Sequence, residues 1–307
     1  MIRSLQHVGI TVPELEVGRA FYQAFGLLPH VQGNDLAFRC EGRQQDQIRL
    51  MSGPRKRLSY VSFGVGKGEL ENFTTRLEQH GVRVSDGPFA RQLDGIWFQD
   101  PDGDWIHLCE ADSQPTRIVT PPEINTPGEY RRIGKRGCGL ESHARRVSPL
   151  RLGHLIKFSP DVDRQVDFYT RVLGMKVSDR AGSILAFLRS AGGGDHHIIA
   201  FARSSHTGLH HLSFEVGGLD EIELGARHLV EQGYRSAFGL GRHVAGSNYF
   251  HYIRDPWNSL CEYFWDIDVI PKDDADWEPW DATPEQVTAV WAVSPPPPDF
   301  VLNFEQP

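Results

Sequence analysis

The chain repeats itself, and the repeat limits its possible folds more than any other feature. The stretch "LQHVGITVPELEVGRAFYQAFGL" near the N-terminus matches "LGHLIKFSPDVDRQVDFYTRVLGM" from Leu152. Each copy has a short apolar strand containing a histidine, then a turn. An amphipathic helix with Phe-Tyr follows and ends near Gly26 or Gly174, the residue type that stops helices. His7 precedes Tyr22 by the same interval that separates His154 from Tyr169. A second pair follows: "RLSYVSFGVGKGELENFTTRLEQHGVRV" resembles "GLHHLSFEVGGLDEIELGARHLVEQGYRS". Both read as a strand, a helix ending in Gly, and another strand. Both then close on an Asp-Pro turn and a final strand, "WFQDPDGDWIHLCEAD" and "YIRDPWNSLCEYFWD".

Four βαβββ modules result, at about 3–52, 57–112, 150–203 and 208–266. One such unit cannot bury a sheet face alone. Pairing two of them curls the sheets into an open barrel whose concave face is a natural pocket. The expected class is α+β, with two open barrels of two modules each. The expected layout is a first domain over 1–112, a linker over 113–149, a second domain over 150–266 and a tail over 267–307. The tail is rich in Pro and Trp and is expected to wrap the surface.

Composition agrees with two soluble domains. The chain has 307 residues and a formal net charge of −8, which argues against a phosphate-backbone partner. The basic concentration at Arg131, Arg132, Lys135, Arg136, Arg145 and Arg146 lies in the linker and reads as a solvated segment. Four cysteines without a CxxC pair fit a reducing compartment. The start carries no apolar signal core and no run reaches spanning length, so a cytoplasmic protein without a membrane partner is expected.

In the second domain three donors sit at equivalent points of the repeat. His154 is on the first strand of module three, His211 on the first strand of module four, and Glu262 on the strand after the Asp255-Pro256 turn. Two imidazoles and one carboxylate leave open positions on one side of a metal, the facial triad of non-haem Fe(II) oxygenases. The first domain has His7, Tyr60 and His107 at those points, which reads as a barrel that kept its fold and lost its site. Alternation along a strand sends His211 inward and His210 to the other face. The doublet His196-His197 is expected to divide in the same way, and His196, His206, His210, His228 and His251 are read as structural or exposed.

The motifs "GHL" at His154, "HHIIAF" at His197, "HHLSFEV" at His211 and "GRHVAGSNYFHYIRDPWNSLCEYF" from Gly241 resemble the type I extradiol ring-cleaving dioxygenases of the vicinal oxygen chelate superfamily. The resemblance covers residues 1 to about 266 and is strongest from His154 to Glu262. It implies iron ligands at His154, His211 and Glu262, with Fe(II) the expected metal and Mn(II) also compatible. It implies an acid–base His197 in the pocket, and His243 and Tyr252 beside the bound substrate. The Asp-Pro turn departs from the family pattern, with Trp257-Asn258 in place of Asp-Gly. The resemblance further implies a catechol-type substrate, O2 as co-substrate, and a homo-oligomer. "SAFGLGR" places Phe238 where a charged grip could sit, which favours an apolar or neutral ring substituent; Arg242 beside His243 argues the other way. Two alternatives share the fold: a metal-dependent isomerase or lyase of the glyoxalase type, and a non-enzymatic antibiotic-sequestering protein.

Overall fold

The computed structural model describes residues 1–306 apart from 112, 113, 115, 121, 122, 143, 144, 274 and 275. Parts of the expected linker and tail therefore lie outside the described residues. The first half runs β1 (Ile2–Val12), α1 (Leu15–Ala24), β2 (Leu28–Gln32), β3 (Asp35–Arg39), β4 (Asp46–Ser52), β5 (Arg57–Val65), α2 (Leu70–Gln79), β6 (Ile96–Gln99) and β7 (Trp105–Glu110). These strands form one sheet in the order β2-β3-β4-β1-β5-β7-β6.

The second half runs β8 (Arg151–Ser159), α3 (Val162–Arg171), β9 (Lys176–Ala181), β10 (Leu185–Arg189), β11 (Gly194–Asp195), β12 (Ile199–Arg203), β13 (Gly208–Glu215), α4 (Leu219–Glu231), β14 (Ser236–Arg242), β15 (Tyr249–Arg254) and β16 (Leu260–Trp265). The tail adds β17 (Val269–Ile270), α5 (Pro284–Thr288) and β18 (Trp291–Ala292). The larger sheet runs β18-β14-β15-β16-β13-β8-β12-β10-β9. The two sheets share one plan. In each, the leading strands of the two modules pair antiparallel at the centre, and each has a parallel neighbour outside it. The fold is α+β and rich in sheet.

Local chemistry explains the elements. In α3 the Asp161 side chain accepts from the Arg164 backbone N–H, satisfying a free donor of the first turn. Its buried residues Val162, Gln165, Phe168 and Tyr169 fall on one helical face. Gly26 and Gly174 follow their helices with φ of 102° and 72°, the left-handed region that glycine adopts without strain. Strand β13 is buried along nearly its whole length, because helices cover one face of its sheet and the concave face is enclosed.

The structure corrects two expectations. The strand read at "GVRV" does not form, so the second module is βαββ. Residues 82–95 instead fold inward, and Phe89 and Leu93 pack with Met51, Tyr60 and Trp97 across the concave face of the first sheet. The tail does more than wrap the surface. β18 pairs with β14, β17 pairs with β11, and Glu305 is buried at its far end.

The halves are joined by a shared apolar core that includes Phe25, Phe63, Tyr169, Phe214 and Tyr263. Phe25 and Tyr263 stack at 4.0 Å, and the Tyr263 hydroxyl donates to the Phe25 carbonyl at 2.7 Å. The fully buried Lys157 of the second half reaches Asp100 and Asp104 of the first, both at 2.5 Å. Of the basic residues between the halves, Arg131, Lys135, Arg136, Arg145 and Arg146 are exposed and Arg132 is half-buried. Among the described residues no helix is long and apolar enough to cross a membrane.

Candidate metal centre

Strand register builds the centre. Ser213 on β13 lies opposite His154 on β8 and beside Glu262 on β16. His211 is two residues before Ser213 and so shares its face. Glu262 Oε2 lies 3.2 Å from His154 Nε2 and 3.4 Å from His211 Nε2. The three donor atoms all lie within 4.8 Å of one another, and all three residues are buried. His211 Nε2 is buried without a hydrogen-bond partner. An orphaned imidazole lone pair beside a buried carboxylate is costly unless a cation sits between them, so the set fits a metal. Burial alone would raise the Glu262 carboxyl. Hydrogen bonds and charge from the neighbouring histidines outweigh it and hold the group well below the usual carboxylate range.

The same register recurs in the first half, where Ser62 pairs with His7 on one side and His107 on the other. There the positions are spent on one another. His7 Nε2 and the Tyr60 hydroxyl share a hydrogen bond at 3.1 Å. His107 meets the Ser62 hydroxyl at 2.8 Å and the Asp94 carbonyl at 3.1 Å. Trp97 stacks on His107 at 4.5 Å.

His154, Ile156 and Phe158 alternate along β8 and line a cavity of about 430 Å³ that opens beside the three donors. His197, His243 and Tyr252 line it too, so the structure gathers all six residues singled out in the sequence. The His197 ring lies 4.1 Å from that of His154. Burial, then the surrounding imidazoles, push its pKa well below the ordinary value, which keeps it neutral. His243 Nδ1 donates to the Thr288 carbonyl of α5. Its Nε2 and the Tyr252 hydroxyl share a hydrogen bond at 2.9 Å. Burial and the Glu262 charge raise the Tyr252 phenol well above its ordinary pKa, so it stays a donor.

His210 is not on the other face. The β13–β8 register slips between Leu209 and His211, leaving His210 as the extra residue of a bulge. The bulge turns its ring into the cavity wall, where its Nδ1 lies 2.7 Å from His211 Nδ1. Burial lowers its pKa to about 4, and its ring also bonds the Phe300 carbonyl. The neutral ring can therefore accept from His211 Nδ1, which leaves the His211 Nε2 lone pair for the metal position. The first sheet slips at the matching point, between Gly9 and Ile10, with Ser59 as the extra residue. The other doublet does divide: His197 faces the cavity, and His196 is buried behind it. His251 is buried against Glu223 and Ser236, His206 is half-buried, and His228 is exposed.

Sequence reasoning missed Asn248, whose side-chain amide donates to Glu262 Oε1 at 3.3 Å. It sits inside the quoted "GSNYF" string, but nothing in its spacing marks it as a partner of Glu262. The tail was missed as well: Val287, Thr288, Pro296, Pro297, Phe300 and Val301 form one wall of the cavity. Phe238 packs against Phe250, Tyr252 and Phe300 and does not line the cavity. Arg242 is turned away, bonding the Ser247 carbonyl and the Tyr249 hydroxyl. Among the described residues, Arg203 lines the cavity and is exposed.

Comparison with known proteins points the same way. The family model described as "Glyoxalase/Bleomycin resistance protein/Dioxygenase superfamily" matches residues 4–108 and 151–263. The chain is 36% identical over 305 residues to metapyrocatechase 2 of Cupriavidus necator, covering 99% of this chain and 93% of that protein. Its fold is similar to the Mn(II)-bound glyoxalase of Novosphingobium aromaticivorans, with a TM-score of 0.78, 22% identity and coverage of 98% and 94% of the two chains. It is also similar to a halotolerant catechol dioxygenase, with a TM-score of 0.76, 22% identity and coverage of 98% and 97%.

Proposed function

The chain belongs to the glyoxalase/bleomycin resistance protein/dioxygenase superfamily and, within it, to the extradiol ring-cleaving dioxygenases; from that premise we propose that His154, His211 and Glu262 hold Fe(II) and that the adjoining cavity takes a catechol-type ring. The observation that carries the assignment is the register of β8, β13 and β16, which aligns His154, Ser213 and Glu262 beside the unpartnered His211 Nε2. Fe(II) held by these three residues would supply a Lewis acid and redox centre, as ring opening of a diol by O2 requires. Mn(II) fits the same donors.

The chain's own residues do the rest. His197, neutral and buried, accepts a proton from the diol and returns it to oxygen later in the reaction, a role worth ~10²–10⁴-fold in rate. Tyr252 and His243 form a hydrogen-bonded pair against the substrate position. Asn248 orients the Glu262 carboxylate. Ile156, Phe187, Val287 and Phe300 exclude water and suit a ring with an apolar or neutral substituent. The glyoxalase-type reading expects four donors, whereas among the described residues the group here is the three His154, His211 and Glu262. A sequestering protein needs no such donor set. We read the first half as structural, with Phe89 and Trp97 where a substrate would need space.

The test is anaerobic reconstitution with Fe(II) or Mn(II), followed by a panel of catechols under isotopically labelled O2. A ring-opened semialdehyde or keto acid carrying both labelled atoms is expected. A fully loaded iron site that consumes no oxygen with any diol refutes the assignment. Light scattering of the eluting protein tests for a homo-oligomer.

A further inference from the structure

Behind His197 lies a hydrogen-bonded chain that the proposed reaction does not yet use. His197 Nδ1 faces His196 Nδ1 at 3.0 Å, and His196 Nε2 faces Asp179 Oδ2 at 2.9 Å. Asp179 Oδ1 accepts the Trp280 backbone N–H at 2.8 Å. Asp179, His196 and His197 are all buried, with exposures of 3%, 0% and 3%. Asp179 stands on β9 opposite Phe187, and the Phe187 ring lies 4.9 Å from that of His197. A neutral imidazole carries one N–H, so a row of facing nitrogens has few consistent proton arrangements.

We infer that Asp179 and His196 are positioning residues that set the tautomer of His197. The carboxylate can only accept, so His196 carries its proton on Nε2. Its Nδ1 must then accept, so His197 carries its proton on Nδ1. That leaves the His197 Nε2 lone pair as its basic nitrogen, and among the described residues no hydrogen bond to that atom is made. A catalytic imidazole oriented by an acceptor behind it follows the logic by which ring nitrogens are assigned in acid–base sites. The structure uses the device twice: the Phe300 carbonyl, His210 and His211 form the matching row. The carboxylate row serves the proposed base, and the carbonyl row serves a proposed ligand.

The kinetic arm of the test rests on the dioxygenase reading; the spectroscopic arm does not. In the full chain loaded with diamagnetic Zn(II), ¹⁵N-histidine spectra should show His196 protonated at Nε2 and His197 at Nδ1. Spectra of H196F and H197F assign the signals. Asp179→Asn should invert the row. The amide oxygen keeps the Trp280 N–H, so the amide nitrogen donates to His196 Nε2. His196 then donates from Nδ1, and the His197 proton moves to Nε2. For this variant kcat should fall ~10–100-fold, the range for losing an outer hydrogen-bond partner, with KM and iron content little changed. A wild-type His197 protonated at Nε2, or a doubly protonated His196, overturns the inference without any variant. A folded Asp179→Asn protein with an unaltered His197 signal, or one whose loss lies in iron content, overturns it as well. If the spectra hold and no diol is turned over, the dioxygenase reading fails and the tautomer assignment stands.

Discussion

At the scale of single residues, two neighbouring histidines have been given unequal work. Both rings of the His210-His211 doublet reach the cavity because a bulge rotates His210 off the alternation of its strand. Only His211 Nε2 lies against Glu262, at 3.4 Å. His211→Ala should abolish retention of the metal proposed there, measured as metal content after gel filtration. His210→Ala should keep the site but weaken it by ~10–100-fold in metal affinity, because it removes the group that orients the ligand. Equal losses from the two variants would mean that His210 is itself a ligand. The three donors were legible in the sequence because the repeat marks equivalent points, and a strand keeps equivalent points in register. The bulge was not legible: period-two alternation assumes no extra residue, and "GLHHLSFEV" contains no glycine at the slip to announce one.

At the scale of elements, the repeated strands and helices were readable because apolar period and helix-stopping glycines agree in each copy. "GVRV" failed as a strand because Phe89 and Leu93 downstream have a better place against Tyr60 and Trp97. The tail was the larger omission, since proline-rich chain carries no period from which contacts can be read. Its anchor is Glu305. That carboxylate accepts backbone N–H bonds from Leu58 at 3.0 Å and Leu209 at 3.2 Å and pairs with buried Lys56 at 2.5 Å. Leu58 and Leu209 each precede the bulge residue of their sheet, so one side chain fastens the tail to both halves at matching points. Glu305→Ala leaves the buried Lys56 ammonium without its carboxylate partner, keeping its bond to the Ser259 hydroxyl, and leaves two N–H groups unpaired. The expected loss is about 3–5 kcal/mol in urea unfolding. The wall carrying Phe300 should loosen with it, seen as a raised KM for the diol and faster proteolysis of the tail. A stable variant with unchanged KM would show that the tail is held by its strands alone.

At the scale of the whole molecule, the two halves share one apolar core. Their contact also buries charge. Lys157 has no exposed surface, and among the described residues Asp100 and Asp104 pair with it. Burial alone would lower its pKa, and the two carboxylates more than reverse that. Lys157→Met strands two buried carboxylates and should destabilise the protein by about 3–5 kcal/mol. Adding Asp100→Asn and Asp104→Asn should recover most of the loss, since neutral partners need no counter-charge. Chemical denaturation of the single and triple variants measures both effects, and a triple variant no better than the single one would show that the charges themselves hold the halves together. The sequence suggested two barrels, but the ionic contact joining them depends on residues far apart in the chain, and neither repeat unit contains the whole of it.

The identical register of the two halves also has a use in protein engineering. Tyr60→His and His107→Glu would write the donor types of the second half onto the first, where His7 already stands opposite Ser62. Trimming Phe89 and Trp97 would clear the floor above them. The first half is thus a matched blank beside the proposed metal centre, on which the same donor set could be written without moving a strand.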